Sequence, residues 1–176
     1  MKNVCMYLLI MGFILPIMSQ EKSAEVFYES GKLPEVVLKK AGEEFSIYYP
    51  DYSNPDSRVQ KLESEFISYD LGKDFEGHDE YLLILEVEDG MLAATFDDTG
   101  KLLSVVERYQ NARLPAKVQK SLAKKFPEWT MVKDKYVFVQ RDGEIKRKEY
   151  KVILRKGNKI QRVVVNQEGE IIRGKY

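Results

Sequence analysis

The sequence predicts an α+β fold: two tandem helix-plus-antiparallel-sheet units preceded by a signal peptide. Three observations carry that expectation. The chain opens with an apolar run from Val4 to Met18, followed by small and polar residues. The segment EYLLILEVEDGMLAATFDDTGKLL at 80–103 returns without a gap at 149–172 as EYKVILRKGNKIQRVVVNQEGEII, an offset of 69 that matches Tyr81 with Tyr150 and Gly100 with Gly169. Each copy alternates apolar and polar residues with the period of a half-buried strand, and each follows a stretch with helical apolar spacing.

The opening run carries Lys2 ahead of it and is broken only by Gly12 and Pro16, the pattern of a secretory signal peptide over 1–19, cleaved near Ser19 or Gln20. It is shorter than the ~20 apolar residues that cross a bilayer, so no stable membrane span is expected after its removal. Cys5, the one cysteine, would leave with it, and an exported chain without disulfides must rely on core packing. Lys2 is also the only charge in 1–19. The 28 basic and 28 acidic side chains of the whole chain therefore become a net charge of −1, which gives no electrostatic reason to expect nucleic acid as a partner. The expected location is periplasmic or secreted.

Along the remaining chain, a first unit is expected over 20–109, with an N-terminal extension, and a second over 110–176. Residues 20–55 admit two readings. Leu33, Val37, Ala41 and Phe45 have helical spacing, whereas Val36–Leu38 and the alternation Phe45, Ile47, Tyr49 suggest two strands around Ala41–Gly42; the β-branched and aromatic content tips the balance toward strands. A helix then begins after Pro55 with Asp56 or Ser57 as cap, runs on the stripe Val59, Leu62, Phe66 and Ile67, and stops at Gly72. A second helix runs from Leu114–Pro115 to Phe126–Pro127 on Val118, Leu122 and Phe126, with Lys117, Lys120, Lys124 and Lys125 on its wet side. Strands after each helix turn at Asp89–Gly90, Asp98–Gly100, Asp142–Gly143, Gly157–Asn158 and Glu168–Gly169. The link YQNARLP has no Gly/Ser tract, so the units should dock rather than swing.

These residues resemble the PepSY-like, β-lactamase-inhibitor-like (BLIP-like) family. The resemblance rests on the helix bounded by Leu114–Pro115 and Phe126–Pro127, on Tyr150-x-Val152-x-Leu154, and on Val165-Asn166-Gln167-Glu168-Gly169-Glu170-Ile171. The family's aromatic-Asp-x-x-Gly signature stands as Phe96-Asp97-Asp98-Thr99-Gly100 in the first copy, while Val165 and Asn166 replace the aromatic and the Asp in the second. The match covers most of 56–176. It implies exported, non-catalytic envelope domains, often in tandem, some of which bind or inhibit other proteins with the open sheet face and loops.

No catalytic, metal or cofactor site is expected. Asp98-Thr99-Gly100 invites comparison with aspartic proteases, but those use two carboxylates, and Gln167 stands at the matching place of the second copy. The turn reading wins. His78, the only histidine, sits in an acidic stretch over 74–80, a poor donor set for zinc and without a calcium-loop pattern. There is no G-x-S-x-G elbow and no Gly-rich phosphate loop.

Strand parity leaves one sheet face without a covering helix. In the first unit it places Leu82, Ile84, Glu86, Ala93 and Thr95 there; in the second, Lys151, Ile153, Arg155, Arg162 and Val164, with Trp129 and Tyr136 at its border. Trp129 equally suits a plug between helix and sheet. A mixed apolar and basic face of this kind suits an envelope protein or peptide as partner. The alternative is that the units or the 20–55 segment cover it. Two other functions stay open: a small-ligand carrier with an apolar pocket, and a metal-dependent enzyme using the 74–80 cluster.

Overall fold

The structure is a computed structural model, and it describes residues 37–41, 44–71 and 79–174, all within the compact unit Leu33–Tyr176. The expected signal peptide, the Gly72 helix stop and His78 with most of its acidic stretch lie outside the described residues.

Seven strands form one antiparallel sheet in sequence order: β3 (Glu80–Val87), β4 (Gly90–Asp97), β5 (Leu102–Gln110), β6 (Thr130–Arg141), β7 (Glu144–Lys156), β8 (Lys159–Asn166) and β9 (Ile171–Arg173). Helix α1 (Ser57–Ser68) lies between the second and third strands of the chain, and α2 (Ala116–Lys125) between β5 and β6. A separate hairpin, β1 (Val37–Ala41) with β2 (Glu44–Tyr48), realises the strand reading of the N-terminal extension. The expected seam near residue 110 falls inside a continuous ladder, because Tyr109 faces Tyr136 and Gln110 faces Lys135 across β5 and β6.

One face of the sheet is apolar and covered. Leu83, Leu92, Ala94, Phe96, Val105, Phe138, Val152, Leu154, Val163 and Val165 are buried on it beneath the helices. Helix α1 starts at Asp56, whose carboxylate accepts from the Arg58 backbone N–H, and it buries Val59, Leu62 and Phe66; each such side chain contributes roughly 1.5–3 kcal/mol. Helix α2 buries Val118 and Leu122 and ends at Phe126. The hairpin lies on the same side as the helices. Lys39 closes the C-terminus of α1 by donating to the carbonyls of Phe66 (2.6 Å), Ile67 (3.4 Å) and Tyr69, where cations complement the helix dipole. Ser46 Oγ accepts from the Leu102 backbone N–H at 2.7 Å, and Tyr48 packs edge-on to Phe66.

The sequence repeat has a backbone counterpart. Adding 69 to the bounds of β3 and β4 gives 149–156 and 159–166, the second part of β7 and the whole of β8. The turns that follow also correspond. Asp97 and Asn166 each use a side-chain oxygen to accept from a backbone N–H four residues on (Lys101 at 2.9 Å, Glu170 at 2.8 Å), and Gly100 and Gly169 both take positive φ. Asp97 Oδ1 also accepts from Thr99, so the Asp98-Thr99-Gly100 sequence is a side-chain-stabilised turn.

Gly169 is needed for two reasons. Its φ is +89°, and a Cβ there would stand 2.6 Å from the Lys117 carbonyl oxygen in the first turn of α2. Gly157 has φ +55° with open space around it. Gly169→Ala should therefore lower unfolding free energy by about 2–3 kcal/mol and Gly157→Ala by about 1 kcal/mol, read from urea midpoints; equal effects would show that the turn does not rest on α2.

Candidate functional site

The other sheet face carries the candidate site. Antiparallel register sets its rows: Ile84, Ala93, Val106, Val139 and Arg147 in one, and Lys135, Lys151, Val164 and Arg173 in another. A third joins Lys133, Ile153 and Arg162. The β3–β5 end is apolar, with Leu82 58 % and Ile84 48 % exposed. The β6–β9 end is basic. The expected residues Lys151, Ile153, Arg155, Arg162 and Val164 do share this face; Lys151, Arg155 and Arg162 are exposed, while Ile153 and Val164 are half-buried between them.

Its charge is unbalanced. Lys151 reaches Glu149 at 3.6 Å and Arg147 reaches the same carboxylate at 3.5 Å, contacts that contribute little at an exposed surface. Arg155, Arg162, Lys133 and Lys135 make no ion pair among the described residues.

Two expected border residues belong elsewhere. Tyr136 is fully buried on the helix-covered face, its hydroxyl donating to Asp51 at 3.0 Å, and so does not border the open face. Trp129 is half-buried on the helix side, edge-on to Phe126 at 6.3 Å and beside Leu122 and Leu154; it takes the plug role. Lys133, Lys135 and Arg173 were not legible locally. A register shift between Met131 and Lys133 breaks the alternation of β6, and only pairing with β7 and β8 brings these cations to the face.

Behind the face, under the helices, lies a buried polar cluster that the sequence reading also missed. Tyr109, Tyr136 and Tyr150 stand directly opposite one another on β5, β6 and β7, with centroids 6.1 and 5.0 Å apart. Glu107 on β5 accepts from Tyr48 and Tyr109, each at 3.1 Å, and Asp51 accepts from Tyr136. Asn54 donates to Tyr150 at 3.1 Å and to Asp51 at 3.2 Å, while Lys148 pairs with Asp51 at 3.0 Å. Glu63 on α1 accepts from the Asp51 backbone N–H at 2.6 Å, and its second oxygen has no partner. Burial is the main cause that raises both glutamates well above the usual carboxylate range; Glu107 raises Glu63 further, and Asp51 raises Glu107. The one local signal was Glu107 at an inward position between Val105 and Tyr109.

Nearby, burial alone would raise Asp56, but hydrogen bonds from Arg58 and the Arg113 backbone hold it below its ordinary value. Arg58 extends from that pair to the carbonyls of Glu88, Gln110 and Asn111 at 3.1–3.2 Å, tying the start of α1 to two strand ends. Among the described residues, no group of three His, Cys, Asp or Glu is placed to hold a metal ion. No described helix is long and apolar enough to cross a membrane. An apolar recess of about 200 Å³ lies beside Trp129, Met131 and Leu154.

A glutamate with a raised folded pKa binds more proton folded than unfolded. Its stabilising proton is held below the ordinary value of about 4.3 and is lost as pH rises through the raised value. Unfolding free energy should therefore fall from about pH 5 to pH 7.5, by about 1.4 kcal/mol per pH unit for each proton retained. That window lies below the titration of Lys39, which burial lowers to about 8 against an opposing effect of Asp70. Glu63→Gln should flatten the slope; an unchanged slope would show that the Glu63 carboxyl is already ionised across the window.

No protein-family model and no curated protein matches the chain. Two of the solved structures similar to it come from Bacteroides. One is a BLIP-like protein from Bacteroides fragilis, 15 % identical, with 58 % of this chain and 79 % of that one covered at a TM-score of 0.32. The other is a DUF2874 family protein from Bacteroides ovatus, 8 % identical, covering 69 % and 86 % at a TM-score of 0.37. The first bears the name of the family that the sequence motifs resemble; at these scores neither likeness says what this chain binds.

Proposed function

We propose that this is an exported, non-catalytic binding or inhibitory protein of the bacterial envelope, built from two PepSY-like units, that grips a protein or peptide on its open sheet face. The observation that supports it is a cluster of cations that make no ion pair among the described residues, Arg155, Arg162, Lys133 and Lys135, around the half-buried Ile153 and Val164. Arginine beside apolar side chains on a rigid strand surface is a composition that recurs where partners bind. The complementary partner presents carboxylates around an apolar centre, and the opposed charges steer its approach.

A carrier role has weaker support. The apolar recess beside Trp129, about 200 Å³, is smaller than the roughly 300–1,000 Å³ of ordinary ligand sites. Enzymatic use of the 74–80 cluster rests on residues mostly outside those described.

Capture from the envelope fraction tests the reading. The intact protein should retain a partner that is released at high salt, and Arg155→Glu with Arg162→Glu should reduce capture at least tenfold while leaving the urea midpoint unchanged. Full capture by the double variant, or nothing above background with the intact protein, contradicts the proposal.

A further inference from the structure

The two edges of the sheet are built differently. Strand β9 has three residues, one of them Arg173, and a register shift beside it; short length, a bulge and a cation are the devices that keep an edge from pairing with another chain. Strand β3 has eight residues, Glu80–Val87, pairs with β4 without a register shift, and contains neither Pro nor Lys. Among the described residues nothing pairs with its outer side. Its middle, Tyr81–Leu85, is wholly apolar, and Leu82 and Ile84 are about half exposed. An edge of this length and composition offers unpaired backbone groups and apolar side chains together.

Charge decides what fits there. Exposed carboxylates bracket the apolar middle: Asp79 and Glu80 at one end, Glu86, Glu88 and Asp89 at the other. A second copy of the chain is a poor occupant. Twofold antiparallel pairing about Leu83 sets Glu80 opposite Glu86 twice, and pairing about Ile84 sets Glu80 opposite Glu88 twice. Like charges directly opposite one another destabilise a strand pair.

We propose that the outer edge of β3 is a second docking site, which accepts an extended partner segment as an eighth strand, apolar in its middle and carrying Lys or Arg six residues apart opposite Glu80 and Glu86. Backbone hydrogen bonds supply the affinity and the bracketing carboxylates supply the choice of sequence. This site is separate from the basic end of the open face and takes a segment of opposite charge.

The test uses the full chain and two capped peptides, Lys-Thr-Val-Val-Val-Thr-Lys and the same peptide with Glu at both ends. The Lys-ended peptide should bind about tenfold more tightly and slow amide exchange within 80–87. Glu80→Lys with Glu86→Lys should reverse the preference, whereas Arg155→Glu with Arg162→Glu should leave it unchanged, which separates this site from the sheet-face reading. Equal affinity for both peptides, a preference that does not reverse, or protection outside β3 overturns the proposal. So does sedimentation showing a dimer with β3 protected, since a second copy would then be the occupant.

Discussion

Tyr109, Tyr136 and Tyr150 stand side by side across three central strands, and each hydroxyl has to find a partner where water does not reach. A buried hydroxyl without one costs about 1–3 kcal/mol. The partners come from two separate parts of the chain: Glu107 from β5 itself, and Asp51 and Asn54 from the loop that enters α1. Glu63 then holds that loop to α1 through the Asp51 backbone. Satisfying the tyrosines therefore fixes the register of β5, β6 and β7, the height of α1 above the sheet and the position of the N-terminal hairpin, which Tyr48 joins to Glu107. Gly90 belongs to the same arrangement, since a Cβ there would lie 2.3 Å from the Tyr109 ring.

This concentration of polar groups on the covered face shapes the other one. Lys148 turns inward to Asp51, while its neighbours Arg147 and Glu149 face outward and meet each other. Past Glu149 the outward positions of β6–β8 are mostly basic or aliphatic. The result is a stiff surface with an apolar end near β3 and a cationic end near β9. A rigid platform loses little conformational freedom on binding, which favours a sheet face over a loop as a grip.

Much of this was legible in the sequence. Period-two alternation and the turns between its runs found the seven strands of the main sheet in outline, because those features depend on residues close in the chain. The helix stripes Val59–Leu62–Phe66 and Val118–Leu122 were legible for the same reason. What escaped depends on distant pairing. Tyr136 alternates like a border residue, yet the tyrosines opposite it and the carboxylate of Asp51 draw it inward. Lys133 and Lys135 lie in a stretch whose alternation is interrupted at Val132, so their face is set by β7. The offset of 69 relates strand bounds and turns, but α1 and α2 are not related by it.

The central claim is that partners meet the open face and not the helix-covered side. Site-specific photocrosslinking in intact cells reads this directly, with a photoreactive residue placed either at Ile153 on the open face or at the exposed Ala123 on α2. The account predicts a discrete protein adduct from position 153 and none from position 123. Adducts from 123 alone, or the same adduct from both, would contradict it.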